Sequence, residues 1–292
     1  MLDFRIDTFL EVCKQMNITK AAKSLNITQP AATQHIKFLE SSYNIKLFNY
    51  KSKKLSLTKE GEVFLNYITT LKHDDLKLRS EIGLIGNKNL QLNFGTTLTI
   101  GEYLMPDKIR KYLKDNDNVN MKVLVANTNE LLNYINNGNI DFAIIEGNFP
   151  KNEFDYIKVS AENYIGVCSK KNKIYSKNLS LEDLLNQRLI IRETGSGSRE
   201  LIEKYLENRS ISINDFSNTI EINNINTIKE LVKSNIGITF LYEAAVKNEL
   251  KNNELVKLHI KDFKIEHDFN LIWRKNSKYK NYYYKIFEDF IK

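Results

Sequence analysis

The sequence predicts a small helical head, then one long helix, then a larger α/β body. Three observations predict it. Two short helical patterns with a tight break between them lie in "ITKAAKSLNITQPAATQHIKFLE", residues 18–40. A single helical pattern follows over about 59–88. From Leu90 onward short apolar runs alternate with helical stretches, the pattern of an α/β fold with largely parallel pairing.

A length of 292 residues supports two or three compact units with buried cores. Hydrophobic residues are 42 % and charged residues 27 %, a globular balance, and no apolar run is long enough to cross a bilayer. Asp3, Asp7 and Glu11 interrupt the N-terminal apolar residues, so a secretory signal is not expected and the cytoplasm is the expected location. The two cysteines, Cys13 and Cys168, are too few and too far apart in sequence for a disulfide framework. Residues 1–60 carry ten basic and five acidic side chains, which is +5 of a total of +7. A basic first fifth on a near-neutral remainder fits a nucleic-acid-binding head, and equally a solvated lysine-rich surface.

Leu2, Ile6, Phe9, Cys13 and Met16 share one helical face. Thr19 is the expected cap of a second, short helix containing Ala21, Ala22 and Leu25. Asn26 is expected to take a left-handed conformation at its end. Thr28 then caps a third helix with Gln29 and Pro30 in its first turn, where a proline removes no hydrogen bond. Ala21, Ala22 and Ala32 let the two helices cross closely. This is a helix-turn-helix, which leads into the DNA major groove with the N-terminal part of its second helix. The residues so presented are Thr28, Gln29, Pro30, Thr33, Gln34 and Lys37. Hydroxyls and amides suit base edges and phosphates. An ordinary helical hairpin with a polar outer face is the plainer alternative. "LFNYKSKKLSLTKEG" follows, and its alternating Leu55 and Leu57 read as a hairpin wing with Lys51, Lys53 and Lys54 near a phosphate backbone.

Thr58 is the expected cap of the long helix. Phe64, Ile68, Leu71, Asp75, Leu78, Ile82 and Ile85 keep a 4-3-4-3 spacing, the seam of a two-chain coiled coil with one polar position. A single helix packed on its own domain is the alternative. Residues 85–90, "IGNKNL", are the expected hinge.

In the body the expected strands are "LQLNFG", "MKVLV", "DFAIIE", "YIGVC", "RLIIR", "TIEI", "GITFL" and "FNLIW". Small polar residues follow several of them, at the strand ends where open α/β sheets bind ligands. "TGSGSR" is neither a P-loop nor a dinucleotide fingerprint, and read alone it is a capped helix start.

These motifs together resemble the LysR-type transcriptional regulators. The resemblance rests on "TKAAKSLNITQPAATQHIKFLE", "IKLF" and "LSLTKEG" in that order and spacing. It continues in "TTLTIGEYLMP", "NTNELLNYINNGNIDFAIIEG" and "RETGSGSRE". Three positions depart from the family pattern: Tyr50, Lys53 and Gln34 stand where arginine is frequent. The resemblance implies an N-terminal all-α winged helix-turn-helix over 1–58, with the helix-turn-helix at 18–37, and a dimerising linker helix and hinge over 59–88. It implies an effector-binding domain over 89–292, an α/β domain of two subdomains like the type 2 periplasmic binding proteins. Subdomain I would span about 89–162 and 267–292, and subdomain II about 163–266. Effector contacts would fall on Thr97, Thr99, Asn127, Glu146, Ser196 and Ser198, with Glu146 a departure from a purely anion-friendly site that suits an ammonium or a neighbouring helix terminus instead. The implied partners are double-stranded DNA, a small metabolite co-inducer (anionic ones first), further copies of the chain as a dimer of dimers, and RNA polymerase. "TTLTIGEYLMP" looks most like the branch governing sulfur and carbon assimilation.

The four histidines do not pair at metal spacing, and "GSGSR" lacks the last glycine of a nucleophile elbow. No enzyme, cofactor or metal is therefore expected. A solute-binding protein would share the body but not the basic head. A DNA-binding protein whose body only oligomerises is the other alternative.

Overall fold

The computed structural model describes residues 2–51, 54–83, 90–176 and 178–292. The chain divides into two units. One is Met1–Asn87 with Asn136–Asn139 and Arg274–Tyr279; the other is Lys88–Ile135 with Ile140–Trp273 and Lys280–Lys292.

The first unit opens with α1 (Arg5–Gln15), α2 (Ile18–Ser24) and α3 (Gln29–Tyr43). Ile6, Phe9 and Val12 of α1 pack with Ala21, Ile36, Leu39 and Leu47 in one core. Met16 does not extend that face: it takes φ 44° and ends the helix, largely exposed. The cap of α2 is Asn17 rather than Thr19. Asn17 has extended backbone, and its side-chain oxygen accepts the Lys20 amide at 2.9 Å. Asn26 is left-handed at φ 54°, as expected. Thr28 accepts the Ala31 amide at 3.3 Å, with Pro30 in the first turn of α3. The wing is an antiparallel hairpin of β1 (Phe48–Lys51) and β2 (Lys54–Leu57), with Phe48 opposite Leu57. Lys53 at its tip lies outside the described residues.

The long helix α4 (Lys59–Gly83) is capped by Thr58, whose hydroxyl oxygen accepts the Gly61 amide at 2.8 Å. The expected single seam is corrected here. Phe64 and Ile68 are buried in the head's own core, Phe64 edge-on to Phe9 and Tyr43. Leu71 packs half-buried on the same core, and Asp75 bonds Arg79 of its own helix at 2.7 Å. Leu78 and Ile82 are exposed; Ile85, and residues 85–89 of the expected hinge, lie outside the described residues. The physical reason is that the first turns of α4 complete the head core, so contact with α1 and α3 sets the helix phase. Further along, the segment Arg274–Tyr279 of the same unit covers Thr70 and Asp74. Asp74 accepts the Ser277 hydroxyl at 2.6 Å and the Lys278 amide at 2.8 Å; Thr70 donates to the Lys275 carbonyl at 3.0 Å.

The second unit begins with β3 (Leu90–Thr96), α5 (Leu98–Tyr103), α6 (Met105–Asp115), β4 (Val119–Val125), α7 (Thr128–Asn136) and β5 (Phe142–Ile145). It continues with β6 (Phe154–Ser169), β7 (Arg188–Ile191), α8 (Gly197–Glu207), β8 (Asn218–Glu221) and α9 (Ile225–Lys233). The last elements are β9 (Thr239–Tyr242), α10 (Glu243–Lys251), β10 (Leu255–Lys257), β11 (Ile265–Arg274) and α11 (Lys280–Ile286). All eight expected strands are present. The expectation of largely parallel pairing holds for β3 with β4 and β5, and for β7 with β8. It fails for β6 and β11, which run antiparallel to their partners β9, β10 and β5. The sheet order is β10-β6-β11-β5-β3-β4, so these two long strands lie side by side and carry the chain through the middle of the sheet. The first half of β6 was invisible as a strand because "FDYIKVSAEN" mixes polar with half-buried residues. One core gathers Ile165, Val167, Ile190, Ile228 and Leu241; another gathers Leu131, Ile135, Ile140, Ile145 and Ile272.

Candidate functional site

The outer face of α3 is polar because its apolar positions are spent on the head core. Gln29 donates its side-chain amide to the Thr33 hydroxyl at 2.9 Å, and that hydroxyl donates to the Gln29 carbonyl at 3.0 Å. Thr28 is engaged as a cap. Gln34 and Lys37 remain exposed, with Pro30 at the leading end. Lys51 and Lys54 are exposed on the wing. Sequence reasoning missed a neighbour: the Arg5 guanidinium lies 3.8 Å over the exposed Phe38 ring, and Arg5 also pairs with Asp3 at 2.8 Å. An exposed aromatic inside the reading helix was the available signal.

In the second unit the predicted effector residues gather at the ends of β3 and β5 and the start of α8. Glu146 is 2 % exposed. Its carboxylate accepts the hydroxyl of Thr97, and that of Thr99 at 3.1 Å. Burial pushes its pKa up, against the opposing pull of the Thr97 hydroxyl, the Arg192 charge and the Thr99 hydroxyl. Ser196 and Ser198 are buried, with their hydroxyls 2.9 Å apart. Ser196 therefore stands at the N-cap of α8 without capping it through its side chain. Asn127 also caps the next helix. Its side-chain oxygen accepts the Glu130 amide at 3.0 Å, and Glu130 returns a bond to the Asn127 amide at 3.1 Å, so it caps α7.

Four further residues join this cluster. Arg192, the last residue of "RLIIR", is 3 % exposed. Its Nε and Nη2 grip Glu193 at 2.8 and 3.0 Å, and its Nη1 is buried without a partner. Thr128 is buried with its hydroxyl unpartnered. Tyr164 donates to the Ser198 and Phe240 carbonyls at 2.8 and 2.9 Å; Tyr242 lies 3.4 Å from the Glu146 carbonyl and from His267 Nδ1. Gly147 and Gly197 bring the end of β5 against the start of α8. A Cβ on Gly197 would stand 2.5 Å from Gly147 Cα. The cluster thus sets unpartnered buried donors, Arg192 Nη1 and Thr128 Oγ1, beside paired hydroxyls. Elsewhere, burial pushes the Cys13 and Cys168 thiols up to about 12, and no group of three or more His, Cys, Asp or Glu side chains placed to hold a metal ion is found among the described residues.

A helix-turn-helix head with a basic wing, followed by an α/β body with a buried polar cluster at its strand ends, defines the class of a ligand-responsive DNA-binding regulator. Residues 5–62 match the model of the bacterial regulatory helix-turn-helix proteins of the lysR family, and residues 86–283 match the LysR substrate binding domain. The chain belongs to the LysR family of transcriptional regulators. Among its relatives is a probable RuBisCO transcriptional regulator of Gracilaria tenuistipitata var. liui, 30 % identical over 92 % of this chain and 89 % of the relative. The fold matches an H2O2-bound mutant of Corynebacterium glutamicum OxyR, with TM-score 0.60, 20 % identity, and 98 % and 89 % of the two chains covered. It also matches the Synechocystis PCC6803 CcmR regulatory domain in complex with 2-PG, with TM-score 0.62, 17 % identity, and 69 % and 95 % covered. Among the described residues no helix is long and apolar enough to cross a membrane.

Proposed function

We propose that this regulator reads its operator with Gln34 and Lys37 of α3, steadies itself on phosphates with Lys51 and Lys54, and senses a small metabolite in the polar cluster around Glu146. The observation that carries the reading is the pairing of an exposed Gln34–Lys37 face with a buried cluster that leaves Arg192 Nη1 and Thr128 Oγ1 unpartnered. The protein works in the cytoplasm, catalyses no reaction, and acts on transcription through RNA polymerase. It needs no resident cofactor; its ligand is a co-inducer. The CcmR regulatory domain, similar in fold, is in complex with 2-PG, which supports a small-molecule ligand for the α/β body.

Pairing with a second copy uses a face of α4 one residue away from the seam spacing. Val63 and Tyr67 are 71 % and 58 % exposed, and with Tyr43 and Ile45 they line an apolar depression of about 470 Å³. Two such dimers would join through their bodies.

Operator binding at several salt concentrations tests the head. Gln34→Ala should relax sequence preference by about 1–3 kcal/mol at one base position. Lys54→Ala should weaken all DNA alike and lower the salt slope by about one. If both variants change only the salt slope, Gln34 is not a reader. Thermal unfolding against a metabolite panel tests the body, since a ligand at about a hundred times its Kd adds about 2.7 kcal/mol.

A further inference from the structure

The cluster around Glu146 already contains a carboxyl group of its own, held by hydroxyls. Every hydrogen-bond donor side chain near the carboxylate is one that would suit a bound oxyanion: Thr97 and Thr99 point their hydroxyls at it, and Arg192 faces it. Nearby stand two side-chain donors that have no acceptor, Arg192 Nη1 and Thr128 Oγ1, and the start of α8, which Ser196 does not cap through its side chain. Ser196 and Ser198 satisfy only each other. The arrangement is that of an oxyanion site partly filled by the protein's own carboxylate.

We propose that Glu146 is a built-in competitor for the effector, and that the effector is therefore a small oxyanion which binds together with one proton. The oxyanion takes the Thr97 and Thr99 hydroxyls, Arg192 Nη1 and the start of α8. Glu146 accepts a proton and becomes a hydrogen-bond donor to the ligand, because two anions in one desolvated pocket repel strongly. This rests on reading the cluster as the effector site.

The groups facing Glu146 come from every element around it. They are Thr97 and Thr99 beside and on α5, Arg192 after β7 with Glu193 paired to it, Tyr164 on β6, Tyr242 on β9 and His267 on β11; Glu162 acts on Tyr242, and Asp268 on His267. Arg192 is the cation nearest to hand, and its charge is shared with Glu193. Burial drives the tyrosines up and His267 down, so they are neutral near pH 7 and leave Glu146 as the group that titrates with ligand. Burial favours its protonated form in the same direction.

The probe is sulfate, whose charge is constant from pH 5 to 9, added to the full chain and followed by titration calorimetry in buffers of different ionisation enthalpy. The expected result is binding accompanied by uptake of up to one proton, with affinity falling up to about tenfold per pH unit above the pKa of Glu146. Glu146→Gln, which keeps the shape and removes the charge, should bind sulfate more tightly than the parent at pH 8, without proton uptake or pH dependence. Adding Thr99→Ala to that variant should weaken sulfate. Wild-type binding that is independent of pH, or no gain from Glu146→Gln, overturns the proposal. So does unchanged binding after Thr99→Ala, which would place the anion elsewhere. If sulfate fails with both proteins while a neutral or cationic metabolite raises the melting temperature, the oxyanion class is wrong and the effector site stands. If no metabolite of any charge shifts it, the effector reading falls with the proposal.

Discussion

Gly61→Ala separates helix propensity from tertiary packing. Gly61 lies in the first turn of α4, and an alanine in a helix is ordinarily favoured over glycine by about 1 kcal/mol. Here the new Cβ would stand 2.2 Å from the Leu47 carbonyl oxygen, 3.0 Å from Leu57 Cδ2 and 3.1 Å from the Leu47 carbonyl carbon. The nearest atom is backbone, so no side chain can swing aside, and the helix must retreat by more than an ångström. That same carbonyl accepts the Thr58 amide at 3.0 Å, so the retreat also strains the cap of α4. Overpacking of this kind costs about 1–3 kcal/mol, and a disturbed cap adds about 1 kcal/mol. The net expectation is destabilisation by about 1–3 kcal/mol. Gly83→Ala is the control: its Cβ meets nothing within 4 Å, so it should be neutral or stabilising. Urea unfolding of the full chain, followed by the head's transition, measures both. If Gly61→Ala is as stable as the parent, the close approach of α4 to Leu47 is not as described, and the reasoning fails.

The same ground supports other tests. Asp74→Ala removes a carboxylate that holds the Ser277 hydroxyl and Lys278 amide, and should cost about 3 kcal/mol by chemical denaturation. Burial alone would raise the Asp74 pKa, but bonds from His73, Ser277 and the Lys278 amide bring it below 3.8. Its stabilisation is therefore present above about pH 3.8 and lost as pH falls through the lowered value, and Asp74→Asn should flatten that acid limb. Glu146 runs the other way. Its pKa is raised, so stability declines as pH rises from 4.5 through the raised value, and Glu146→Gln should abolish the decline in melting temperature. Tyr67→Glu should shift sedimentation toward monomer with the head still folded, whereas Phe64→Ala should unfold the head by about 3–5 kcal/mol. A Tyr67→Glu protein that stays dimeric moves the pairing surface off this face.

Much of the design was legible in one sequence. Caps at Thr28 and Thr58, the left-handed Asn26 and the first-turn Pro30 all follow from local chemistry, so each was visible in residue type and spacing. The apolar runs marked all eight expected strands for the same reason. The cluster residues Thr97, Thr99, Glu146, Ser196 and Ser198 were visible as small or polar residues at strand ends and a helix start. Arg192 was not, because at the end of an apolar run an arginine reads equally as a solvent-facing terminus. The reciprocal cap between Asn127 and Glu130 was not read, since a cap and a ligand contact call for the same residue type.

The sequence by itself determined what each residue can do locally: where helices start, which faces are apolar, where donors stand. Tertiary structure decided which faces are spent. The spacing of Phe64, Ile68 and Leu71 holds for a two-chain seam and for a head core alike, because a heptad records only that one side of a helix is dry. Only packing against α1 and α3 assigns that side and leaves Val63 and Tyr67 outside. Likewise Glu146 and Thr97 lie far apart in the chain, and neighbours in sequence cannot report that a carboxylate has been desolvated beside hydroxyls and an arginine. Charge, burial and partner choice at that site are properties of long-range contact, which sequence periodicity does not encode.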